Sequence, residues 1–502
     1  MKRSFFSIVL ITMTLVMASL IPTASVSPPI AWAGQVPFGT PTSPDIALSH
    51  RDRVYTADQW SNTVTVTDPV DNKLLGVINL GAPTPANLNP LYTGQLLVHG
   101  MGFSPDHRTL LVVSIASNSV AFIDTATNTV KHVTYVGRSP HEAFYTPDGK
   151  EAWVTVRGEN YVSVLDGATY QEKTRITVAN GPGMTIFSPD DKYGYVCSSF
   201  TPETDVITVT DHKVIKRIPQ ASPFCPNIAA TPDGKQVWYT LKDTGRVQVF
   251  DGQPPFSMLK TLDTGPITNH VNIVHNAHGT FAYITIGGLN EVKVFRTDNF
   301  AQVATIPVGA LPHGIWPSGD GTRIYVGLEN GDNLVAINTL TNQVVGKSPI
   351  GQGCQAITYV PNAVPSGTGT QGLTSLGIAK QATHLSLVPL KNGKPAKLAA
   401  GQQAPTSASL FDQGQVQVLQ AAVTGLAPKQ SYVLALSSDP NGNGTLEPLE
   451  VFTTNAAGAA IVNTVGPIRQ VVQGQNNMPR RYLVIYPGTA TQHATPVQVQ
   501  AQ

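Results

Sequence analysis

Charge is what this sequence has least of: Asp, Glu, Lys and Arg together make up 13% of its 502 residues, about half the share of an average soluble chain. The 32 basic and 31 acidic residues nearly cancel, and no basic block follows Lys2-Arg3, so nucleic acid and other polyanions are not expected as general partners. Cysteine is almost as scarce. Three residues, Cys197, Cys225 and Cys354, leave at least one thiol without an intramolecular partner and mean that disulfides do not carry the fold. None precedes Cys197, which excludes a lipoprotein attachment site near the N-terminus, and no Cys-x-x-Cys-His occurs, which excludes covalent c-type haem. Nothing resembles a nucleophile elbow, a phosphate loop or a pair of suitably spaced catalytic carboxylates.

Long apolar runs are confined to one place. Lys2 and Arg3, an apolar stretch from Phe5 to Leu20, and Ala31-Trp32-Ala33 before Gly34 form the three-part pattern of a secretory leader. Residues 1–33 are therefore expected to be removed, leaving no membrane span and placing the mature chain in the periplasm or outside the cell. An uncleaved anchor is the alternative, disfavoured because the run falls short of the roughly 20 residues that span a bilayer.

What the chain does have is turns and a period. With 44 Gly and 39 Pro, short alternating strands recur in a fixed order: "RVYTADQWSNTVTVTDPVDNKLLGVI" (53–78), "TLLVVSIASNSVAFIDTATNTVKHV" (109–133), "EAWVTVRGENYVSVLDGATYQEKTRI" (151–176) and four further copies ending at 350. Asp68, Asp124, Asp166, Asp211, Asp251, Arg296 and Asn338 occupy equivalent places. A unit of about 40–45 residues with four strands is a propeller blade. A further strand precedes every triplet except the first, and "GCQAITYV" (353–360) follows the last triplet with none of its own. The expected fold is thus all-β, a seven-bladed propeller over residues 34–361, closed when 353–360 completes the first blade.

The repeated "N-x-V-x-V-x-D" at Asn62, Asn118 and Asn160, with "TPDGK" at 146–150 and 231–235 and "SPDDK" at 188–192, resembles the exported YVTN-type β-propeller repeat family. The resemblance covers residues 45–361 and implies a binding or surface protein. Related propellers form the cytochrome-cd1 and nitrous-oxide-reductase domains and lactonase-like enzymes, so the fold alone selects no chemistry.

The Pro-His pairs at 140–141 and 312–313 begin innermost strands, at the channel mouth. Aligned on the blade turns, the ring position is His99, His141, Gly183, Pro226, Val271, His313 and Gln355, with Cys225, His270 and Cys354 one residue earlier. His99, His141, His313 and Cys354 fall on consecutive blades and are candidate ligands for copper or zinc. The preferred reading is structural, with each imidazole satisfying a neighbouring backbone carbonyl; Gly183, Pro226 and Gln355 interrupt the histidine ring that the resemblance to nitrous-oxide reductase would require. His99, His141, His270, His313, Trp316 and Arg157 are the candidate ligand-binding residues, suited to a small polar ligand, a peptide or a glycan. Cys197 and Cys225 fall on adjacent blades, where buried free thiols are expected and a disulfide is the alternative.

Residues 362–378 read as a linker and 379–502 as a small β-sandwich of fibronectin-III or Ig-like type, its "VTGLAPKQSYVLALS" (423–437) resembling a strand-and-corner-tyrosine stretch. Within it, "DPNGNGTLEPLE" (439–450) matches a calcium loop, with Asp439, Asn441, Asn443, Thr445 and Glu450 as oxygen ligands for Ca²⁺ and Gly444 at the turn. Strand-like flanks and Pro448 favour a hairpin instead. The sequence reading is a monomeric exported binding or interaction module with no catalytic residue assigned; a metal-dependent oxidoreductase-type propeller and a lactonase-like hydrolase are the alternatives.

Overall fold

Alternating apolar residues in short strands produce seven antiparallel sheets of four strands each. The computed structural model describes residues 47–81, 96–377, 382–413, 416–474, 478–492 and 494–501; the leader at 1–33 and most of the insertion at 81–95 lie outside them. From blade 1 to blade 7 the innermost strands are Cys354–Val360, Val98–Phe103, Pro140–Tyr145, Pro182–Phe187, Ile228–Ala230, Thr268–Asn276 and Pro312–Pro317. Each packs against the next, and the seventh against the first, so the sheets form a closed ring. Closure uses the expected strand: Cys354–Val360 pairs antiparallel with Arg53–Asp58, with Val54 opposite Tyr359 and Thr56 opposite Ile357. Every blade thereby has four strands, and the inner edges that remain are short and face the channel.

The repeat letters have identifiable work. Asn62, Asn118 and Asn290 adopt left-handed backbone (φ 56°, 56° and 58°), which Asn tolerates better than most residues. Their side-chain oxygens accept backbone N–H bonds from Leu97, Ser139 and Leu311, the approach to the next blade. Asp124 and Asp166 accept two backbone N–H groups each in the turn that follows them. Inner strands are buried throughout, as in Pro140–Tyr145, whereas outer strands such as Glu172–Thr177 are mostly exposed. Trp153, Trp238, Tyr195 and Tyr239 fill the spaces between sheets with no exposed surface, each aromatic ring burying roughly 150–250 Å².

Two cysteines differ from expectation. Cys197 and Cys225 form a disulfide, their Cα atoms 5.9 Å apart, joining the second strand of blade 4 to the approach to blade 5. The second strand of one blade lies against the inner strand of the next, so the two thiols meet although 28 residues separate them. Cys354 stays free and buried.

The segment read as a linker is not a loose tether. Arg108 donates to the carbonyls of Asn362 and Ala363, Asn128 to those of Gly369 and Gln371, and Thr374 makes a β-bridge with Val77 on the outer strand of blade 1. Leu376 is buried against Val77. The C-terminal strands then form one sheet, in the order Leu446–Thr453, Ser431–Ser437, Tyr482–Pro487, Gln498–Gln500, Thr383–Lys391, Thr406–Asp412, Gln417–Val423, Ala460–Gly466. It curls until its first and last strands approach, nearly closed around Leu387, Leu410, Leu419, Leu434, Leu483 and Ile485. Where two stacked halves were expected, the hydrogen-bond path is continuous.

This second domain sits on the propeller. Gln420 donates to Glu329, Gln413 to the carbonyl of Trp60, and Asn330 to Ser407, while His384 meets Asp332 at 3.0 Å. Trp60 stacks on Phe411, and Ile267 and Leu311 pack against Ala422 and Ala459. The contacts come from blades 1, 6 and 7, so half of the mouth has a roof.

The calcium reading is corrected by the geometry of its loop. Asp439 accepts the N–H groups of Asn441 and Asn443, the carbonyl of Thr445 is taken by the N–H of Ser438, and Ser437 pairs with Leu446 to close a hairpin. Glu450 is already in the strand, opposite Leu434 and exposed. Four residues of strand carry it roughly 13 Å from the turn, out of reach of an ion held by Asp439. Antiparallel pairing of Leu446–Thr453 with Ser431–Ser437 overrides the loop pattern.

Candidate functional site

Each Pro-His strand starts with a bulge. Pairing runs from Pro140 opposite Val156 directly to Ala143 opposite Val154, leaving His141 and Glu142 together against Thr155. The same shift sets His99 and Gly100 between Val98 and Met101, and His313 and Gly314 between Pro312 and Ile315. A regular strand would send His141 and Glu142 to opposite faces; a bulge re-aims the backbone so that both reach the channel. The absence of a side chain at Gly100 matters here, because a Cβ would stand 2.4 Å from the Glu142 carboxylate and 2.2 Å from the His141 carbonyl.

Four imidazoles gather at the mouth, none more than 5% exposed. Ring centroids of His141 and His99 are 4.3 Å apart, those of His99 and His313 6.4 Å, and those of His313 and His270 4.6 Å. His141 Nδ1 lies 2.6 Å from the Gly183 carbonyl and His313 Nδ1 2.7 Å from that of Gln355. A carbonyl only accepts, so each Nδ1 carries the proton and each Nε2 keeps its lone pair. His141 and His313 thus each satisfy a carbonyl of the neighbouring blade through Nδ1, which leaves Nε2 outside that bond.

His99, His141 and Glu142 each offer a ligand atom, all within 4.8 Å of one another. His99 Nδ1 and Glu142 Oε1 are 3.9 Å apart, both buried and both without a hydrogen-bond partner. Burial, the mutual proximity of the rings and the charges of Arg157 and Lys242 hold His99, His141, His270 and His313 well below the usual histidine range. Burial pushes the Glu142 carboxyl well up, opposed only by the N–H of Met101. Neutral imidazoles beside an uncompensated carboxyl make a donor set that a cation completes. Across the mouth, His313 Nε2 stands 4.0 Å from Glu329, whose other oxygen accepts from Gln355 and Gln420.

Of the residues singled out from the sequence, His99, His141, His270 and His313 come together and Arg157 lies beside them. Trp316 is deeper, stacked on Phe144 with centroids 6.3 Å apart and lining a channel cavity with Met101, Glu142 and His270. Its free space of about 20 Å³ holds roughly one water molecule. Cys354 is corrected as a ligand: its thiol turns into the contact between blades 7 and 1, against Gly327, and donates weakly to the Ala356 carbonyl. Glu142 takes its place in the cluster, and His313 falls outside the converging set. The signal for Glu142 was its position beside a Pro-His pair at a bulge.

The family described as the cytochrome D1 heme domain matches residues 92–254, about a third of the chain and most of blades 2 to 5. No curated protein matches. Among solved structures, hydrazine synthase of Kuenenia stuttgartiensis is 20% identical, with 52% of this chain and 88% of that one covered and a TM-score of 0.46. A functionally unknown protein from Desulfotomaculum acetoxidans is 14% identical, with 61% and 98% covered and a TM-score of 0.51. The second likeness supports the propeller fold. The YVTN-type resemblance has no counterpart among these matches. Among the described residues no helix is long and apolar enough to cross a membrane.

The family name raises the question of haem. A tetrapyrrole is several times as wide as an imidazole, yet the four rings here fill the mouth against one another and half of it is roofed. The cavity below admits about 20 Å³. The residues present do not fit that group, whereas the ligand atoms of His99, His141 and Glu142 lie close enough together to share one ion.

Proposed function

We propose that this protein is an exported metal-binding propeller whose channel mouth holds one copper or zinc ion on His99, His141 and Glu142. The observation that carries the reading is the pairing of two orphans, the His99 Nδ1 nitrogen and a Glu142 carboxyl oxygen, buried 3.9 Å apart beside a third ligand. Buried polar atoms without partners cost on the order of 1–3 kcal/mol each, and a cation removes both costs at once. Drawing three ligands onto an ion at about 2.0–2.2 Å each needs side-chain shifts of the order of an ångström. The Gly183 carbonyl on His141 Nδ1 orients that ring and fixes its tautomer, as hydrogen bonds behind metal-bound histidines commonly do. Three protein ligands leave a coordination position open, the arrangement of a reactive rather than a purely structural site.

The test is metal analysis of full-length protein purified without a histidine tag and then offered zinc or copper alone. About one ion per chain is expected, lost in His99→Ala, His141→Ala and Glu142→Gln, with a thermal shift on addition of the metal to stripped protein. Metal-free protein that shows neither uptake nor a shift ends the proposal.

A further inference from the structure

Arg157, Lys242 and Glu329 follow directly on the second strands of blades 3, 5 and 7, in "EAWVTVR", "QVWYTLK" and "RIYVGLE", so one repeat position supplies three charges to the mouth. They meet different fates. Glu329 lies under the roof and accepts from Gln355 and Gln420. Arg157 and Lys242 lie on the half without a roof, and among the described residues neither has a hydrogen bond from its side chain or a carboxylate within 4.0 Å. The Arg157 Nε is buried and unpartnered. What the two cations do touch is aromatic: Arg157 stands 5.0 Å from the Phe224 ring centroid and 5.6 Å from that of Phe200, and Lys242 5.7 Å from Phe224.

Cation–π contact offsets only part of the cost of withdrawing two positive charges from water. Burial holds both groups below their ordinary values, Arg157 down to about 10. Glu329 and Asp243 act on Lys242 through space, but neither is an ion-pair partner. Both cations keep some access to solvent, and their charge is felt at His99, His141 and His313. The open half of the mouth is thus a positive passage with aromatic walls, leading to neutral imidazoles.

We propose that Arg157 and Lys242 form the recognition site for a small oxyanion or carboxylate, which enters by the unroofed half of the mouth and settles beside the histidine cluster. The planar guanidinium takes two oxygens in parallel while the ammonium takes a third as a point charge. This site needs no metal, so it stands or falls separately from the metal reading.

The experiment uses full-length protein freed of metal, with titration calorimetry in a low-chloride buffer and inorganic phosphate, sulfate and malonate as probes. At least one of these is expected to bind saturably, one per chain, with Kd at or below about 1 mM. Arg157→Gln and Lys242→Gln should each weaken that binding at least about tenfold, while Arg157→Lys keeps part of it and Lys150→Gln, on a solvated turn, changes nothing. Circular dichroism and thermal melting check that each variant is folded; since both side chains are partly exposed, Lys242→Gln serves if Arg157→Gln is unstable. Absence of saturable binding for all three anions, or unchanged binding in the folded variants, overturns the proposal. Anion binding in a protein that takes up no metal would retain this site and reject only the metal centre.

Discussion

The two halves of the channel mouth carry similar residues and treat them differently. On blades 6, 7 and 1 the C-terminal domain covers the polar groups and bonds to them: Glu329 has Gln420, Asp332 has His384, and the carbonyl of Trp60 has Gln413. Among the described residues no second domain contacts the mouth on blades 3 to 5, and Arg157 and Lys242 are left facing phenylalanines. There the structure is stapled covalently by Cys197–Cys225 instead. One half is held by a protein partner already in place, and the other by a cross-link that leaves room. A site that must admit something from outside needs that asymmetry, because a full roof would satisfy every charge and shut the passage.

The comparison can be broken most severely at the staple. Replacing Cys197 and Cys225 by Ser should lower stability by about 3.5 kcal/mol on the chain-entropy estimate for a loop of this length, read as a shifted midpoint in denaturant unfolding. A negligible shift would mean that the open half is held by packing alone. Next in size is Gln420→Ala, which strips one donor from the buried Glu329 and should cost about 1–3 kcal/mol. Its second readout is faster amide hydrogen exchange in Gln417–Val423, expected if the roof loosens; equal rates would show that the roof does not depend on this bond.

The smallest effect is a change in the shape of the pH profile. Asp58, beneath the roofed half, accepts from Thr56, Thr63 and Thr65, yet burial raises it to about 7. A raised carboxyl favours the protonated folded state, so its contribution is complete below the ordinary value of 3.8 and is lost as the pH rises through about 7. Asp58→Asn should flatten that loss in thermal melts between pH 5 and 8. The four imidazoles act with the opposite sign. Held below 6.5, they remain neutral while the unfolded chain takes up protons, so stability falls as the pH drops below 6.5. His270→Gln should soften the acid limb without altering the alkaline one.

The ring of blades was legible because a period of 40–45 residues repeats the same physical devices, the left-handed Asn, the Asp-headed turn and the buried inner strand. The order of blades followed, and with it the neighbours His313, His99 and His141. Two things were hidden. Alternation alone places Glu142 away from the channel, and only the bulge after Pro140 brings it in; bulges leave little trace in hydrophobic pattern. The roof was hidden as well, since the polar residues that meet it, Glu329, Asn330 and Trp60, look like solvated loop residues until the second domain is placed upon them. Cys354 differs for a related reason: it stands one residue before the ring position held by Gln355, and its side chain turns between blades 7 and 1. The hairpin at 439–450 shows the converse, a ligand pattern complete in letters that the strand pairing of Glu450 with Leu434 pulls apart.

Closure of the ring by Cys354–Val360 has a consequence for biogenesis. His99 is made early and His313 late, and the strand that seats between them emerges from the ribosome last of all the blades, just ahead of the strap at 362–377. A product that ends between residues 314 and 352 therefore contains both histidines and still lacks the strand that seats between them, so the hub closes only after Cys354–Val360 has been made.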